Sequence, residues 1–226
     1  MRVFLISLED KYGGVYLPQE KLSEGFILNG TSRTEGWKPL PVSWAKPRRQ
    51  HANFEYAFCG QSYVIDGSVY VAMAQILRNS CELLPLVMEG QQNHYLLNPV
   101  VRVDCLDEER TKWRGLPGTN HSRYEIDDYH FIASRVPSIP IFLLPDRCEL
   151  YTATGVTRPD REFKSIIERE GFTGLKFRSV WSESTNHESP KTVSRTSPWL
   201  ALIQVAPPSR SDQMIRVLHV CLEYPC

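Results

Sequence analysis

The chain lacks nearly every short motif that announces a chemistry. No GxSxG elbow, Walker loop or GxGxxG fingerprint occurs, so the sequence offers no nucleophile turn and no glycine cradle for phosphate. Gly13-Gly14 reads as a turn, because no GK[ST] or helix start follows it. HExxH is missing, no cysteines form CxxC, and His51, His94, His121, His130, His187 and His219 are scattered without zinc-finger spacing. His219 and Cys221 would share one face of a strand, but two ligands do not close a zinc site. No metal or cofactor is expected. Net charge is missing too: 26 basic and 26 acidic residues cancel, which removes the positive field that nucleic acid or an anionic membrane requires. Long apolar runs are absent. Val3-Phe4-Leu5-Ile6 is shorter than a secretory apolar region and runs into Glu9-Asp10. Residues 139–144 are interrupted by Pro140, and nothing approaches the roughly 20 residues that span a bilayer. The expectation is a cytoplasmic chain with no export signal and no membrane span.

What is present is material for a core. The 226 residues are 42% apolar, which fits one large domain or one domain with an appendage. Cys59, Cys81, Cys105, Cys148, Cys221 and Cys226 are even in number and permit disulfides. In a chain of this length without an export signal they read instead as reduced, mostly buried, small apolar side chains.

Residues 1–8 predict a first strand, closed by a turn at 10–14. Residues 29–50, rich in Gly, Pro, Trp and basic groups, read mainly as loop. Asp66 is placed to cap a helix running to about Asn79, with Val69, Met73, Ile76 and Leu77 on one face. Residues 83–88 predict a strand that Pro85 puts at an edge or a bulge. A polar turn at 89–93 joins it to an antiparallel partner within 95–103. Residues 123–132 and 139–144 are further strand candidates. A second helix is expected from Thr157, capped by Thr157 or Asp160, with Pro159 in its first turn. Phe163, Ile166 and Ile167 form its apolar stripe and Gly171 its left-handed stop. Thr173-Gly174 turns the chain into a half-buried strand, where Leu175 and Phe177 alternate with Lys176 and Arg178. Residues 182–198 read as a polar loop or linker, and 199–226 as a C-terminal hairpin packed on the domain formed by 1–181. Clustered strands, two main helices and no strict βαβ alternation predict an α+β fold with a largely antiparallel sheet.

Few residues suggest chemistry. Asp104, Asp107, Glu108 and Glu109 are the densest acidic cluster, and paired carboxylates can do acid–base work or hold Mg²⁺. Arg110, Lys112 and Arg114 follow at once and are expected to neutralise them locally. Cys105 lies between Asp104 and Asp107, where negative neighbours raise a thiol's pKa, the opposite of what a catalytic thiolate needs. A hydrolase-like enzyme using the 104–109 carboxylates or Cys105 is thus an alternative reading. The basic run Lys46-Pro-Arg-Arg-Gln-His51 could touch phosphate, but it is short and has no interleaved aromatic platform. Trp113, among charges, either pins its segment to the core or anchors a partner.

Three stretches, read in order, resemble one family. The first is Cys81-Glu-Leu-Leu-Pro-Leu-Val87 after a helix, followed by Tyr95-Leu-Leu-Asn98 and Val101-Arg-Val-Asp-Cys-Leu-Asp107. The second is Ile139-Pro-Ile-Phe142, followed by Leu150-Tyr151 and a helix. The third is Gly171-Phe-Thr-Gly-Leu-Lys-Phe177 with Trp181. Together they are similar to the Imm11-type immunity proteins of bacterial polymorphic toxin systems, over about residues 60–181. The first fifty residues match loosely, and the tail beyond Trp181 extends past the family's usual end.

The resemblance implies a non-enzymatic protein, monomeric or homodimeric, that binds a cognate toxin in the cytoplasm of the producing cell. It supplies no catalytic residues. A partner surface is then expected outside the shared motifs, in residues 29–50, 107–124 and 182–198. Trp37, Trp44 and Trp113 would be aromatic anchors, with Arg48, Arg49, Glu183 and Glu188 as a charged rim. Burial in the core is the competing expectation for each tryptophan.

Overall fold

In the computed structural model, which describes residues 1–18, 30–45, 50–58, 61–115 and 124–183, strand β1 (Arg2–Leu8) separates two cores. Val3 and Leu5 face one, with Phe131, Phe142 and Tyr151; Ile6 and Leu8 face the other, with Phe54, Met73 and Ile166. This period of two is the strand's own alternation. β1 lies inside a four-stranded antiparallel sheet, ordered β10 (Phe142–Leu143), β11 (Leu150–Thr154), β1 and β12 (Leu175–Ser182). The fold is α+β, as expected, and residues Met1–Glu183 pack as one compact unit. The expected C-terminal hairpin and residues 184–198 of the polar loop lie outside the described residues.

The second sheet closes on itself. Strands β2 (Gly14–Tyr16), β3 (Leu40–Trp44), β6 (Cys81–Met88), β7 (Gln91–Pro99), β5 (Gln61–Asp66) and β4 (Phe54–Phe58) form a barrel in that order. The β2–β4 and β3–β6 pairs are parallel and the others antiparallel. Val15, Val42, Ala57, Val64, Leu84, Leu86, Met88 and Leu96 fill its interior, so it is a packed core rather than a channel.

The described part of 29–50 is mainly loop, as expected, but Leu40, Val42 and Trp44 alternate with Pro41 and Ser43 and build the short strand β3 within it. Its proline-rich, basic composition hides that short period. Of the two places expected for Pro85, the edge is not the one, since β6 pairs on both sides, while a bulge-like register shift follows between Leu86 and Met88. The ladder with β3 begins only at Leu86, which leaves the proline outside it.

Helix α1 (Gly67–Leu77) starts where predicted: Asp66 accepts from the Ser68 and Val69 N–H groups, both at 3.0 Å. Val69, Met73 and Leu77 are fully buried. Helix α2 (Phe163–Glu170) begins later than expected. Pro159–Arg161 is a separate 3₁₀ turn, and the cap position belongs to Glu162 rather than Thr157 or Asp160. The buried Glu162 carboxylate accepts from the Gly155 N–H behind it (2.6 Å) and from Ser165 Oγ in the first turn of the helix (3.1 Å), and so ties the preceding loop to α2. Among the described residues no helix is long and apolar enough to cross a membrane. Cys81 and Cys105 are buried thiols. Cys148 is disulfide-bonded, which corrects the expectation of six reduced cysteines; sequence spacing does not encode such a pairing.

The turn after α2 clasps the sheet to the barrel. Gly171 stops the helix at φ 69°. Thr173 O then accepts from the Phe54 N–H (3.1 Å), and Gly174 O from the Glu9 N–H (2.9 Å). Asn53 Oδ1 accepts from the Thr173 N–H and Oγ1, while its Nδ2 donates to Asp66 Oδ2. Gly174 sits at φ 105°, where a Cβ would lie 2.0 Å from the Phe54 carbonyl oxygen. Gly171 is open by comparison, and a Cβ there would meet nothing within 4 Å. Gly171→Ala should therefore cost about 1 kcal/mol, the penalty for left-handed backbone. Gly174→Ala should cost on the order of 3 kcal/mol or more, strain plus backbone collision. Urea unfolding of both variants checks this, and equal losses would refute the clasp.

Candidate functional site

Strand directions bring one set of side chains to a single mouth of the barrel. Trp44 ends β3 opposite Val15, Gly14 of β2 pairs with Tyr56 near the start of β4, and Asp66 at the end of β5 pairs with His94 of β7. Alternation decides which way each points. Trp44 lies two residues from interior Val42, Glu55 two from interior Ala57, and His94 two from interior Leu96. Trp44, Glu55 and His94 thus continue the barrel's interior face to its rim.

There they meet His51. The Trp44 and His51 rings are 3.9 Å apart, and the Trp44 and His94 rings 5.5 Å, edge to face. Glu55 is only 3% exposed. Its Oε1 lies 3.1 Å from His51 Nδ1, the donor when that nitrogen carries the proton, and accepts from the Ala52 N–H at 3.0 Å. Its Oε2 is buried and has no hydrogen-bond partner among the described residues. Burial pushes the Glu55 carboxyl above its ordinary range; the Ala52 N–H and His51 pull it back, and Asp66 adds to the rise. Burial likewise holds His94 below the usual imidazole range. A buried acceptor without a partner costs about 1–3 kcal/mol, more when charged. Barrel mouths are common places for ligands, and orphaned buried polar groups there call for a functional account. Among the described residues no three His, Cys, Asp or Glu side chains are grouped to hold a metal ion.

An open cleft of about 550 Å³ lies at the far end of α1, lined by Arg78, Asn79, Ile139, Asp160 and Arg161 among others. Asp160 is already paired with Arg158. The barrel mouth is the stronger candidate, because it holds a buried acceptor with no hydrogen-bond partner among the described residues.

The expected site residues that the structure describes, Trp37, Trp44, Trp113 and Glu183, lie in different places. Trp37 and Trp44 are both half-buried against the barrel core, and Trp37 Nε1 donates to Pro85 O at 3.0 Å. Trp113 packs instead on the core beyond β1, with the Arg147 guanidinium 5.9 Å from its ring centroid. Glu183 is exposed at the end of β12, 3.7 Å from the N-terminal ammonium. Arg48, Arg49 and Glu188 lie outside the described residues, as do residues 46–47 of the basic run.

Lys112 and Arg114, expected to neutralise the acidic 104–109 cluster, are engaged elsewhere. Strands β8 (Lys112–Arg114) and β9 (Glu125–Asp128) pair, so Arg114 meets Glu125 and Asp127, and Lys112 meets Asp128. Exposed Asp104 lies 3.7 Å from Arg135. Cys105 is fully buried, and burial with Asp104 pushes its thiol up to about 12.

Glu82 contrasts with Glu55. Its carboxylate accepts from Ser32 Oγ, the Arg33 N–H (2.7 Å), the Thr34 N–H (3.3 Å) and Asn98 Nδ2 (2.8 Å). It thereby ties the segment that carries Trp37 to the barrel. Partial burial opposes its ionisation, but the donors of Ser32, Thr34, Arg33 and Asn98 outweigh it and hold the carboxyl at about 2.

Sequence reasoning misses Glu55, Glu82 and His94 as site residues. The available signal is parity: each is a polar residue in a strand whose neighbours alternate with core residues. No family model matches the chain, and no curated protein matches its sequence.

The two carboxylates predict opposite pH slopes. Glu55 binds its proton more tightly folded than unfolded, so its contribution to stability falls as pH rises above about 4.5. Thermal melts should show wild type losing ground to Glu55→Gln over that rise; the reverse slope would contradict the assignment. Glu82 binds its proton less tightly when folded. Its contribution is complete above about 4.5 and is lost as pH falls toward about 2. Glu82→Gln should flatten that acid limb of the melting curve, and an unchanged limb would argue against the four-donor cradle.

Proposed function

We propose that this chain is a non-catalytic binding protein, an immunity protein that neutralises a cognate bacterial toxin by contact. The observation that carries the reading is the ordered resemblance of three stretches to the Imm11-type family, taken with the structural posts those stretches hold. Residues 81–98 form the β6–β7 hairpin, 142–154 contain the β10–β11 pair, and 171–177 are the clasp and the start of β12. Motifs spent on framework leave contact to other surfaces. Trp37 and Trp44, half-buried on the barrel, have the size and partial exposure of interface anchors.

The hydrolase-like alternative draws less support. Cys105 is buried with a raised pKa, and Asp104 is a solvated carboxylate beside Arg135. On the immunity reading the site of action is the cytoplasm of the producing cell, where the disulfide at Cys148 would be open to reduction.

Co-expression with the toxin encoded beside this gene should restore growth, and the two proteins should co-elute in gel filtration. Trp37→Ala should weaken the complex by about 2 kcal/mol, as loss of an aromatic anchor does, with the circular dichroism spectrum retained. Neither rescue nor a complex would end the proposal.

A further inference from the structure

We propose that the barrel mouth is a receptor for a cationic nitrogen group, an alkylammonium or a guanidinium, held by Glu55 Oε2 and the ring of Trp44. The site rests on the binding-protein reading only for which partner carries that group.

Three features select this ligand. The first is the uneven use of one carboxylate. His51 Nδ1 and the Ala52 N–H both converge on Oε1, while Oε2, also buried, has no hydrogen-bond partner among the described residues. A carboxylate accepts and does not donate when ionised, so what completes it must bring N–H or O–H groups.

The second feature is the sign of the surroundings. Asp66 lies close enough to oppose ionisation of Glu55, and its own oxygens are committed to the α1 cap and to Asn53. Burial opposes protonation of His94, so it is poorly suited to offset that charge. An anionic ligand would meet two carboxylates, and an apolar one would leave Oε2 as it stands. A cation removes the imbalance and forms the shorter, stronger, charge-assisted bond.

The third feature is the wall. Trp44 is the aromatic side chain best suited to a cation, and its ring borders both histidines at the mouth. His51 bonds to Glu55 and its side chain remains 42% exposed, which places it at the outer rim beside the carboxylate. An aromatic face beside a buried carboxylate is the pairing that recognises lysine, arginine and organic amines.

The test is an NMR titration of the full chain, following the imidazole signals of His51 and His94 and the indole signal of Trp44. The probes are butylammonium, the capped tripeptide acetyl-Gly-Arg-Gly-amide, neutral N-butylacetamide and anionic butyrate. Both cations should give saturable shifts, and the neutral and anionic probes none. Glu55→Gln should weaken cation binding by about tenfold or more, the loss expected for a charge-assisted bond. If that variant fails to fold, Trp44→Leu should weaken binding at least about threefold through the lost ring. Tighter binding of the tripeptide assigns the cation to a protein partner, and tighter binding of butylammonium assigns it to a small amine; either supports the site. Absence of saturable shifts, equal affinity in Glu55→Gln, or comparable binding of butyrate overturns it. A toxin that binds Glu55→Gln as well as wild type separates the two proposals, because the immunity reading then stands without this contact.

Discussion

The rest of the structure depends on one close approach, that of Gly174 to the carbonyl of Phe54. There is no room for a side chain between them. This contact lets the Phe54 N–H reach Thr173 O and the Glu9 N–H reach Gly174 O, so the four-stranded sheet and the barrel meet through backbone bonds. Asn53 adds a side-chain knot that joins the turn to the cap of α1. Behind it lies a shared core, in which Phe54 packs edge to face on Phe163 of α2. The same clasp fixes where β4 begins. Glu55 follows immediately, so the geometry of the mouth is inherited from the contact that holds the two sheets together.

The barrel carries two carboxylates that show how differently the same group can be used. Glu82 is ringed by donors from a loop and from Asn98, and its charge is an adhesive for the segment that presents Trp37. Glu55 is more deeply buried, yet among the described residues donors reach only one of its oxygens. The first arrangement serves stability. The second works against it, and folds keep such groups mainly where binding or chemistry uses them. Trp44 links framework and mouth, packed on the barrel core and bordered by His51 and His94 at the rim.

Much of the framework was legible in the sequence because its signals are local. Asp66 as a cap, Gly171 as a stop, the α1 stripe and the Leu175/Phe177 alternation each depend on residues a few positions apart. The barrel was not legible, because its closure rests on the parallel β2–β4 and β3–β6 pairings between distant segments. β3 was masked by prolines and basic residues around a short alternating run. The acidic cluster misled for the same reason: adjacency suggested Arg114 as its partner, whereas the β8–β9 register gives that arginine to Glu125 and Asp127. Of the anticipated contact residues, Trp44 stands at the mouth, but nothing local in the sequence points to its neighbours. His51, Glu55 and His94 are spread over 44 positions of sequence, and only the barrel brings them together.

The barrel mouth turns on the state of one side chain. A carbon-13 NMR titration of the Glu55 carboxyl in the full chain measures it directly. A midpoint above the ordinary glutamate value of about 4.5 is predicted, since burial outweighs the help of His51 and Ala52. A midpoint at or below that value would mean that Oε2 is solvated or already paired, and the barrel mouth would lose its claim to be the functional site.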